Sequence, residues 1–230
     1  EKIFLNLVDN IKSSKFLKLK CLSVHIGSQI LDYKPYEKML KVIQKVIDKS
    51  KINFEYIDLG GGMGIDYEKN KKKLNYAKYS LNIRKFIKKN NSKIIFEPGR
   101  SIIANAGYLI SKVIYIKKGE KKDFIIIDAA MNDLIRPALY NAKHQIIPVK
   151  KSKIKNNKIY EFVGPICEST DKFSTLKKFQ KLKEKDLIVI CDVGAYGMSL
   201  SSNYNLRPKP AELLIEKSKV KVILKRQRLQ

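Results

Sequence analysis

The stretch "KIIFEPGRSI", residues 93–102, combines a strand-like apolar run with two opposite charges. Three apolar residues, 94–96, are followed by Glu97 and, after a Pro-Gly pair, by Arg100. Because proline and glycine interrupt a strand, we expect Glu97 at its last position and Arg100 on the loop beyond. Charges at the carboxyl end of a buried strand need partners, and in α/β proteins those partners are often ligands. The stretch therefore predicts a ligand site at a strand end.

Two earlier strand-like runs end in a similar way. Residues 21–26, "CLSVHI", lead into a Gly-Ser pair, and residues 54–59, "FEYIDL", lead into "GGGMG". Apolar residues at helical spacing predict amphipathic helices over residues 35–49 and 75–89. The spacing of the strand ends is that of βα units, which a (β/α)8 barrel arranges with its site at the strand carboxyl ends.

The pattern changes after about residue 107. A single helical candidate covers residues 195–202, and the rest consists mainly of strand-like runs: "YLISKVIYIK", "DFIIID", "HQIIPVK", "IYEFVGP", "LIVICDVG" and "KVKVIL". We expect an α/β protein, with part of a (β/α)8 barrel over residues 1–107 and a mainly β, Greek-key-like barrel domain over residues 108–230.

Composition limits the function classes. The net charge is +26, but the basic residues are mostly dispersed lysines rather than one basic face with interleaved aromatics. We therefore expect neither nucleic acid nor a membrane as partner. Hydrophobic residues make up 44% of the chain, which is typical of a soluble globular protein. The three cysteines are widely spaced and odd in number, which favours a reducing cytoplasm over a disulfide scaffold.

No single motif decides the chemistry. The histidine of "HIGSQ" (residues 25–29), taken alone, is more often structural than functional. The glycine run "DLGGGMG" (58–64) exposes backbone N–H groups as phosphate loops do, but it lacks the GxGxxG and Walker fingerprints. Three such signatures at successive strand ends make a shared site the better interpretation.

Six motifs together resemble the diaminopimelate decarboxylase family of pyridoxal-phosphate (PLP) decarboxylases, which have an alanine-racemase-like barrel. The motifs, in chain order, are "HIGSQ", "DLGGG", "EPGR", "DAAMNDLIRPALYNAKHQI", "VGPICESTD" and "GAYGMSLSSNYNLRPKPAE". The resemblance covers nearly the whole chain. It implies that PLP is the cofactor and that meso-2,6-diaminopimelate is decarboxylated to L-lysine, the last step of lysine biosynthesis. No metal is expected.

The resemblance also implies the cofactor contacts. Glu97 would face the pyridine nitrogen of PLP and keep it protonated, and His25 would stack on the ring. Tyr196 would lie between cofactor and substrate. The remaining predicted cofactor contacts, which form or shape the phosphate cradle, are Ser28, Gly60, Gly61, Gly62, Pro98, Gly99 and Arg100.

Substrate recognition is implied for a second group of residues. Arg136 and Tyr140 would bind the distal end of the substrate, and Arg100 would also contact the substrate. Cys167 is similar to the family's proton donor, and Glu168 is similar to its contact with the distal amine. In the family these last two residues reach the active site of the other subunit, so the resemblance implies a homodimer with shared active sites.

One family feature has no counterpart in residues 1–230. The Tyr-Ala-x-Lys-Ala-Asn-like motif, whose lysine forms a Schiff base with PLP, is absent. We therefore expect the chain to be the carboxyl-terminal part of a longer enzyme and to be inactive by itself. Two alternatives stay open. One is a decarboxylase of ornithine, arginine or a polyamine precursor, which typically has Cys-Asp where this chain has Cys167-Glu168. The other is a non-catalytic homologue.

Overall fold

The computed structural model describes residues 2–228, which form two compact units. The first unit contains the residues up to Asp66 together with Asn70–Ile102. The second contains Tyr67–Lys69 and the residues from Ile103 onward. The functional domain boundary after residue 107 stays a prediction, because a compact unit need not be a functional domain. Among residues 2–228, no helix has both the length and the apolar character needed to span a membrane.

The first unit consists of βα units around a parallel sheet. Its elements are α1 (Lys2–Ser13), β1 (Cys21–Ser23), α2 (Lys34–Ser50), β2 (Tyr56–Asp58), α3 (Tyr76–Asn90) and β3 (Lys93–Ile95), followed by the single-turn helix α4 (Arg100–Ile103). The sheet order is β1-β2-β3, and both pairings are parallel. The predicted succession of βα units is confirmed, and all three strands end at the same edge of the sheet.

Helices α2 and α3 form where apolar spacing and end signals coincide. Pro35 lies in the first turn of α2, where its missing N–H is tolerated. The Asn75 side chain caps α3 by accepting the Lys78 N–H at 3.0 Å. The apolar faces of both helices pack on β2 in one core, whose largest fully buried side chains include Tyr36, Phe54 and Ile57.

The second unit is mainly β, as predicted. It contains β4 (Tyr108–Lys117), β5 (Lys122–Ile127), α5 (Arg136–Tyr140), β6 (Ile146–Pro148), β7 (Ile159–Val163), β8 (Lys172–Leu176), β9 (Leu187–Cys191), β10 (Glu212–Glu216) and β11 (Lys219–Leu224). Six strands form one sheet in the order β6-β9-β4-β5-β7-β8, and β10 and β11 form an antiparallel hairpin. Only the β5–β7 pair of the six-stranded sheet is parallel.

A buried charge lies within this sheet. Glu161 on β7 is 6% exposed and forms ion pairs with Lys122 on β5 and Lys172 on β8, the two neighbouring strands. Burial by itself would raise the pKa of Glu161, but the two lysines outweigh it and hold that pKa below its usual value. The three residues thus form a charged cross-strand cluster that depends on ionised Glu161.

Several local expectations were wrong. Glu97 is not the last strand residue, because β3 ends at Ile95, two residues earlier. The strand is also not buried, since Ile95 is 40% exposed, and the Phe96 that follows it is 41% exposed. Arg100 begins the short helix α4 instead of lying on a loop. Residues 195–202 contain only a 3-10 turn, Met198–Leu200, because glycine and serine dominate this segment. Helices α1 and α5 and strands β8 and β10 were not predicted.

Candidate active site

The three parallel strands bring the predicted cofactor motifs to one edge of the first unit. The Gly61 N–H donates to Nδ1 of His25 at 3.3 Å, which links the loop after β2 to the loop after β1. The Glu97 N–H donates to the Gly60 carbonyl at 2.9 Å, which links the loop after β3 to the same glycine run. Because Nδ1 of His25 accepts a hydrogen bond, the proton of the neutral imidazole lies on Nε2. Both His25 and Glu97 are exposed at this edge.

The glycine run has a backbone shape that residues with a β-carbon would adopt only with strain and close contacts. Gly60 and Gly62 have φ values of +64° and +89°, in the region where side chains are strained. A β-carbon on Gly62 would lie 2.4 Å from the Gly27 carbonyl oxygen. Buried Asp58 stabilises the start of the run, since its carboxylate accepts the Gly60 N–H at 2.8 Å and the Ser23 hydroxyl at 3.1 Å. The run therefore forms a tight loop whose backbone N–H and carbonyl groups bind the side chains around it.

Tyr36 supports this loop from the core and was not predicted as a site residue. Its side chain is 1% exposed, and its hydroxyl donates to the Gly61 carbonyl at 3.2 Å. Burial raises the pKa of Tyr36 to about 12, so the hydroxyl stays protonated as a donor at neutral pH. On an amphipathic helix a tyrosine looks like any other core residue; the hydroxyl on the apolar face was the only signal.

Ser28 and Arg100 meet at the same edge. One terminal nitrogen of Arg100 donates to the Ser28 hydroxyl oxygen at 3.1 Å. The pair joins a hydroxyl to a planar cation, a combination that binds phosphate oxygens well.

In the second unit, Arg136 is buried at the start of α5. It is 5% exposed, and its Nη1 lies 2.9 Å from Nε2 of His144, while its guanidinium carbon lies 4.7 Å from the centre of the Tyr67 ring. Tyr140, at the end of the same short helix, is 63% exposed. Neither His144 nor Tyr67 was predicted as a site residue: Tyr67 is far from Arg136 in the chain, and His144, eight residues from it, gives no sequence signal of the contact.

Cys167 and Glu168 are exposed on the loop between β7 and β8. Asp171 anchors this loop: its carboxylate accepts the Ile166 N–H at 2.8 Å and the Met131 N–H at 2.7 Å. Burial raises the pKa of Asp171, and the two N–H donors oppose that rise. Glu168 accepts a hydrogen bond from the Tyr204 hydroxyl at 2.6 Å. That contact with the carboxylate raises the pKa of Tyr204.

Tyr196 lies on a strained loop after β9. Its φ is +59°, an uncommon value for a bulky residue, and its side chain is 44% exposed. Buried Asp192, also with a positive φ, anchors the loop through Lys69 Nζ at 2.8 Å and Asn105 Nδ2 at 3.0 Å. Such strain persists only where the surroundings hold the backbone in place, and it is concentrated at functional sites.

Comparison with known proteins identifies the family. Residues 11–194 match the model of the pyridoxal-dependent decarboxylase C-terminal sheet domain. The chain belongs to this family. It is 40% identical over 221 residues to the diaminopimelate decarboxylase of Aquifex aeolicus, an alignment that covers 94% of this chain and 52% of that protein.

Solved structures agree with this assignment. The diaminopimelate decarboxylase of Helicobacter pylori complexed with L-lysine is 40% identical, with a TM-score of 0.86 over 99% of this chain and 57% of that one. The M. jannaschii diaminopimelate decarboxylase in co-complex with L-lysine is 33% identical, with a TM-score of 0.92 over 98% and 54%. The chain spans about half the length of the curated relatives it matches. The fold class expected from the sequence, with a mainly β carboxyl-terminal part, is confirmed.

The residues at the sheet edge of the first unit fit PLP, the cofactor of this family. A β-carbon on Gly61 would lie 2.2 Å from the Glu97 carbonyl oxygen, so the glycine run lies too close to the Glu97 main chain for any side chain at this position. The donor set suits the two ends of the cofactor: Ser28 and Arg100 match a phosphate, and the Glu97 carboxylate matches a protonated pyridine nitrogen.

Proposed function

We propose that the whole protein containing this chain decarboxylates meso-2,6-diaminopimelate to L-lysine, with PLP as cofactor, as the last step of lysine biosynthesis. Identity of about 40% to diaminopimelate decarboxylases supports the proposal. The observation that carries it in the structure is the buried guanidinium of Arg136, since diaminopimelate, unlike ornithine, keeps a second carboxylate at its far end. In this assignment residues 1–107 belong to the PLP-binding (β/α)8 barrel and residues 108–230 to the β domain.

The first unit would hold the cofactor. PLP supplies an acceptor for the electron pair that remains on the substrate carbon when CO2 departs. The Glu97 carboxylate keeps the proton on the pyridine nitrogen through charge attraction. His25 would pack on the ring of the bound cofactor, and the hydrogen bond that its Nδ1 accepts from the Gly61 N–H would keep the imidazole in one orientation. Ser28, Gly62 and the Gly99-Arg100 segment bind the phosphate.

The second group of residues would bind the substrate and move its proton. Arg136 and Tyr140 would bind the distal carboxylate, and Glu168 would bind the distal ammonium. Arg100 would also contact the substrate, and Tyr196 would lie between the substrate and the cofactor. Cys167 Sγ donates the proton that replaces CO2 on the reacting carbon, which requires an accessible thiol. The thiol is exposed, as that role needs.

We further propose that the protein is a homodimer with shared active sites and is located in the cytoplasm. Cys167 and Glu168 are exposed on the loop between β7 and β8, as residues that reach the site of a partner chain need to be. The free cysteines fit a reducing compartment.

Turnover on matched substrates tests the proposed reaction. The whole protein, supplied with PLP, should release CO2 from diaminopimelate with a kcat/KM at least 100-fold above that for ornithine, because ornithine leaves buried Arg136 without a carboxylate. Arg136→Ala should lower kcat/KM for diaminopimelate by about 10- to 100-fold or more while the PLP absorbance stays unchanged. Equal turnover of the two substrates would instead favour a broad-specificity decarboxylase. Loss of PLP in the Arg136 variant would place that residue in the cofactor site.

A further inference from the structure

Arg136 is held on two sides by buried side chains. His144 and Tyr67 are 4% and 8% exposed, and their rings meet edge to face with centres 5.1 Å apart and planes at 72°. The Arg136 guanidinium contacts the face of the Tyr67 ring and the Nε2 atom of His144. Three polar side chains thus form one buried stack, which we call the arginine clamp.

The hydrogen bonds of the clamp determine the state of His144. A guanidinium can only donate, so Nε2 of His144 must accept from Arg136 Nη1 at 2.9 Å. The proton of the neutral imidazole therefore lies on Nδ1, which is 2.9 Å from the Cys191 carbonyl oxygen and donates to it. Cys191 is the last residue of β9. His144 consequently connects the carboxyl end of β9 to the guanidinium through two hydrogen bonds of fixed direction.

The clamp orients a cation through neutral groups. The imidazole uses one of the five N–H donors of Arg136, and the guanidinium carbon lies over the tyrosine ring, 4.7 Å from its centre. A guanidinium held in this way has a fixed plane, so its fork is already oriented when a carboxylate arrives. Prior orientation lowers the entropy cost of binding and increases affinity without adding a contact to the ligand.

We propose that His144 and Tyr67 are positioning residues that set the affinity and the specificity of this protein for a distal carboxylate, acting through Arg136. The inference rests on the proposed function of Arg136 and extends it to two residues with no assigned role. Neither residue needs to touch the substrate. Their effect should therefore appear in carboxylate recognition and not in cofactor binding or in the chemical step.

Two variants of His144 separate its two hydrogen bonds. In His144→Asn the amide nitrogen can still donate to the Cys191 carbonyl, but the side chain ends before Arg136. In His144→Gln the amide oxygen can reach the position of Nε2 and accept from Arg136. Two probes separate carboxylate recognition from general binding: L-lysine carries a carboxylate and two amines, and cadaverine is the same diamine without the carboxylate.

The test is a calorimetric titration of each probe into the PLP-loaded whole protein. We expect His144→Asn to weaken L-lysine binding by about tenfold, equivalent to 1.4 kcal/mol. Cadaverine affinity, kcat for diaminopimelate and PLP absorbance should stay close to wild type. His144→Gln should restore most of the L-lysine affinity. Equal weakening of both probes, or of neither, would overturn the inference.

A matched pair at Tyr67 decides the question if the His144 variants fail to fold. Tyr67→Phe keeps the ring face and should bind L-lysine as wild type does, whereas Tyr67→Leu removes the face and should weaken L-lysine but not cadaverine. Unchanged L-lysine binding in Tyr67→Leu contradicts the inference. If the variants lose affinity for L-lysine but not for cadaverine, and the whole protein releases no CO2 from diaminopimelate, the clamp is supported and the proposed reaction is refuted. If the whole protein turns over diaminopimelate but the variants bind L-lysine as wild type does, the proposed reaction is supported and the clamp is refuted.

Discussion

A β-carbon on Gly61 would stand 2.2 Å from the carbonyl oxygen of Glu97. The two segments are also hydrogen-bonded, since the Glu97 N–H donates to the Gly60 carbonyl at 2.9 Å. Both sides of this contact are main chain, so neither can rotate away as a flexible side chain would. The glycine run and the main chain of Glu97 therefore hold their mutual position through backbone packing.

Gly61→Ala should displace the glycine run from Glu97 and lower the affinity of the whole protein for PLP by at least tenfold, because small displacements at a preorganised site are costly. Titration of the apoprotein, followed by PLP absorbance, measures the effect. Gly119→Ala is the matched control, since its β-carbon would also meet a main-chain oxygen, that of Lys122, at 2.5 Å, but in the second unit. The control should lose stability and keep its PLP affinity. If both variants bind PLP as wild type does, the close approach has no role in the cofactor site.

The approximate strand ends of the first unit were predictable from sequence, because proline and glycine mark them. Proline and glycine after the apolar runs placed the three strand ends, and the βα spacing placed them at one edge of a parallel sheet. Strand β8, "KFSTL", was missed because its polar residues give a weak alternation. Helix α5 was missed because five residues are too few to show a helical period.

The predicted site residues were recognised from motifs, whereas the supporting residues were found only through their contacts. Tyr36 and Tyr67 contact segments distant in the chain, which no local pattern records. His144 lies within one of the six motifs, eight residues after Arg136, but the sequence gives no sign of its contact with the guanidinium. The expectation that β3 is buried was wrong for a related reason: an apolar run predicts burial but does not say what covers each face. Local rules therefore gave the positions of the motifs but not the side chains that hold them.

Ser28→Ala should weaken PLP binding by about tenfold or more, the value of one hydrogen bond to a charged group. The Ser28 hydroxyl accepts from Arg100 at 3.1 Å, and in the proposed site both residues contact the phosphate. Arg100→Lys should cost more, because an ammonium cannot replace the planar fork. Pyridoxal, which lacks the phosphate, is the control ligand, and its affinity should change in neither variant. A parallel loss for pyridoxal would move the role of these residues away from the phosphate.

A Cys167→Ala chain and a Glu97→Ala chain, each inactive alone, should recover activity when combined in one dimer. If each active site takes Glu97 from one chain and Cys167 from the other, one of the two sites in a mixed dimer contains neither substitution. Co-expression with two affinity tags allows the mixed dimers to be purified and assayed against diaminopimelate. Purified mixed dimers as inactive as either parent would show that the sites are not shared.

Glu161→Gln should destabilise the β domain at neutral pH. The side chain is 6% exposed and pairs with Lys122 and Lys172 on the strands at either side of β7. Glutamine keeps the size but not the charge, so two lysines lose their partner, and we expect a loss of about 1–3 kcal/mol in the free energy of unfolding. Partial exposure of both lysines places the value toward the lower end of that range, because solvent screens them.

The lowered pKa of Glu161 determines how its contribution to stability changes with pH. Because the folded protein holds the pKa of Glu161 below its ordinary value of 4.5, the stabilisation is complete above that pH and is lost as the pH falls through the lower, folded value. The difference between wild type and Glu161→Gln should therefore be largest at pH 7 and shrink below pH 4.5. Urea unfolding of the second unit, followed by hydrogen exchange of the β7 amides, measures it at each pH. The exposed Glu184→Gln is the control and should change little at any pH. A difference that grows on acidification would mean that burial outweighs the two lysines and that the pKa of Glu161 is raised in the folded protein.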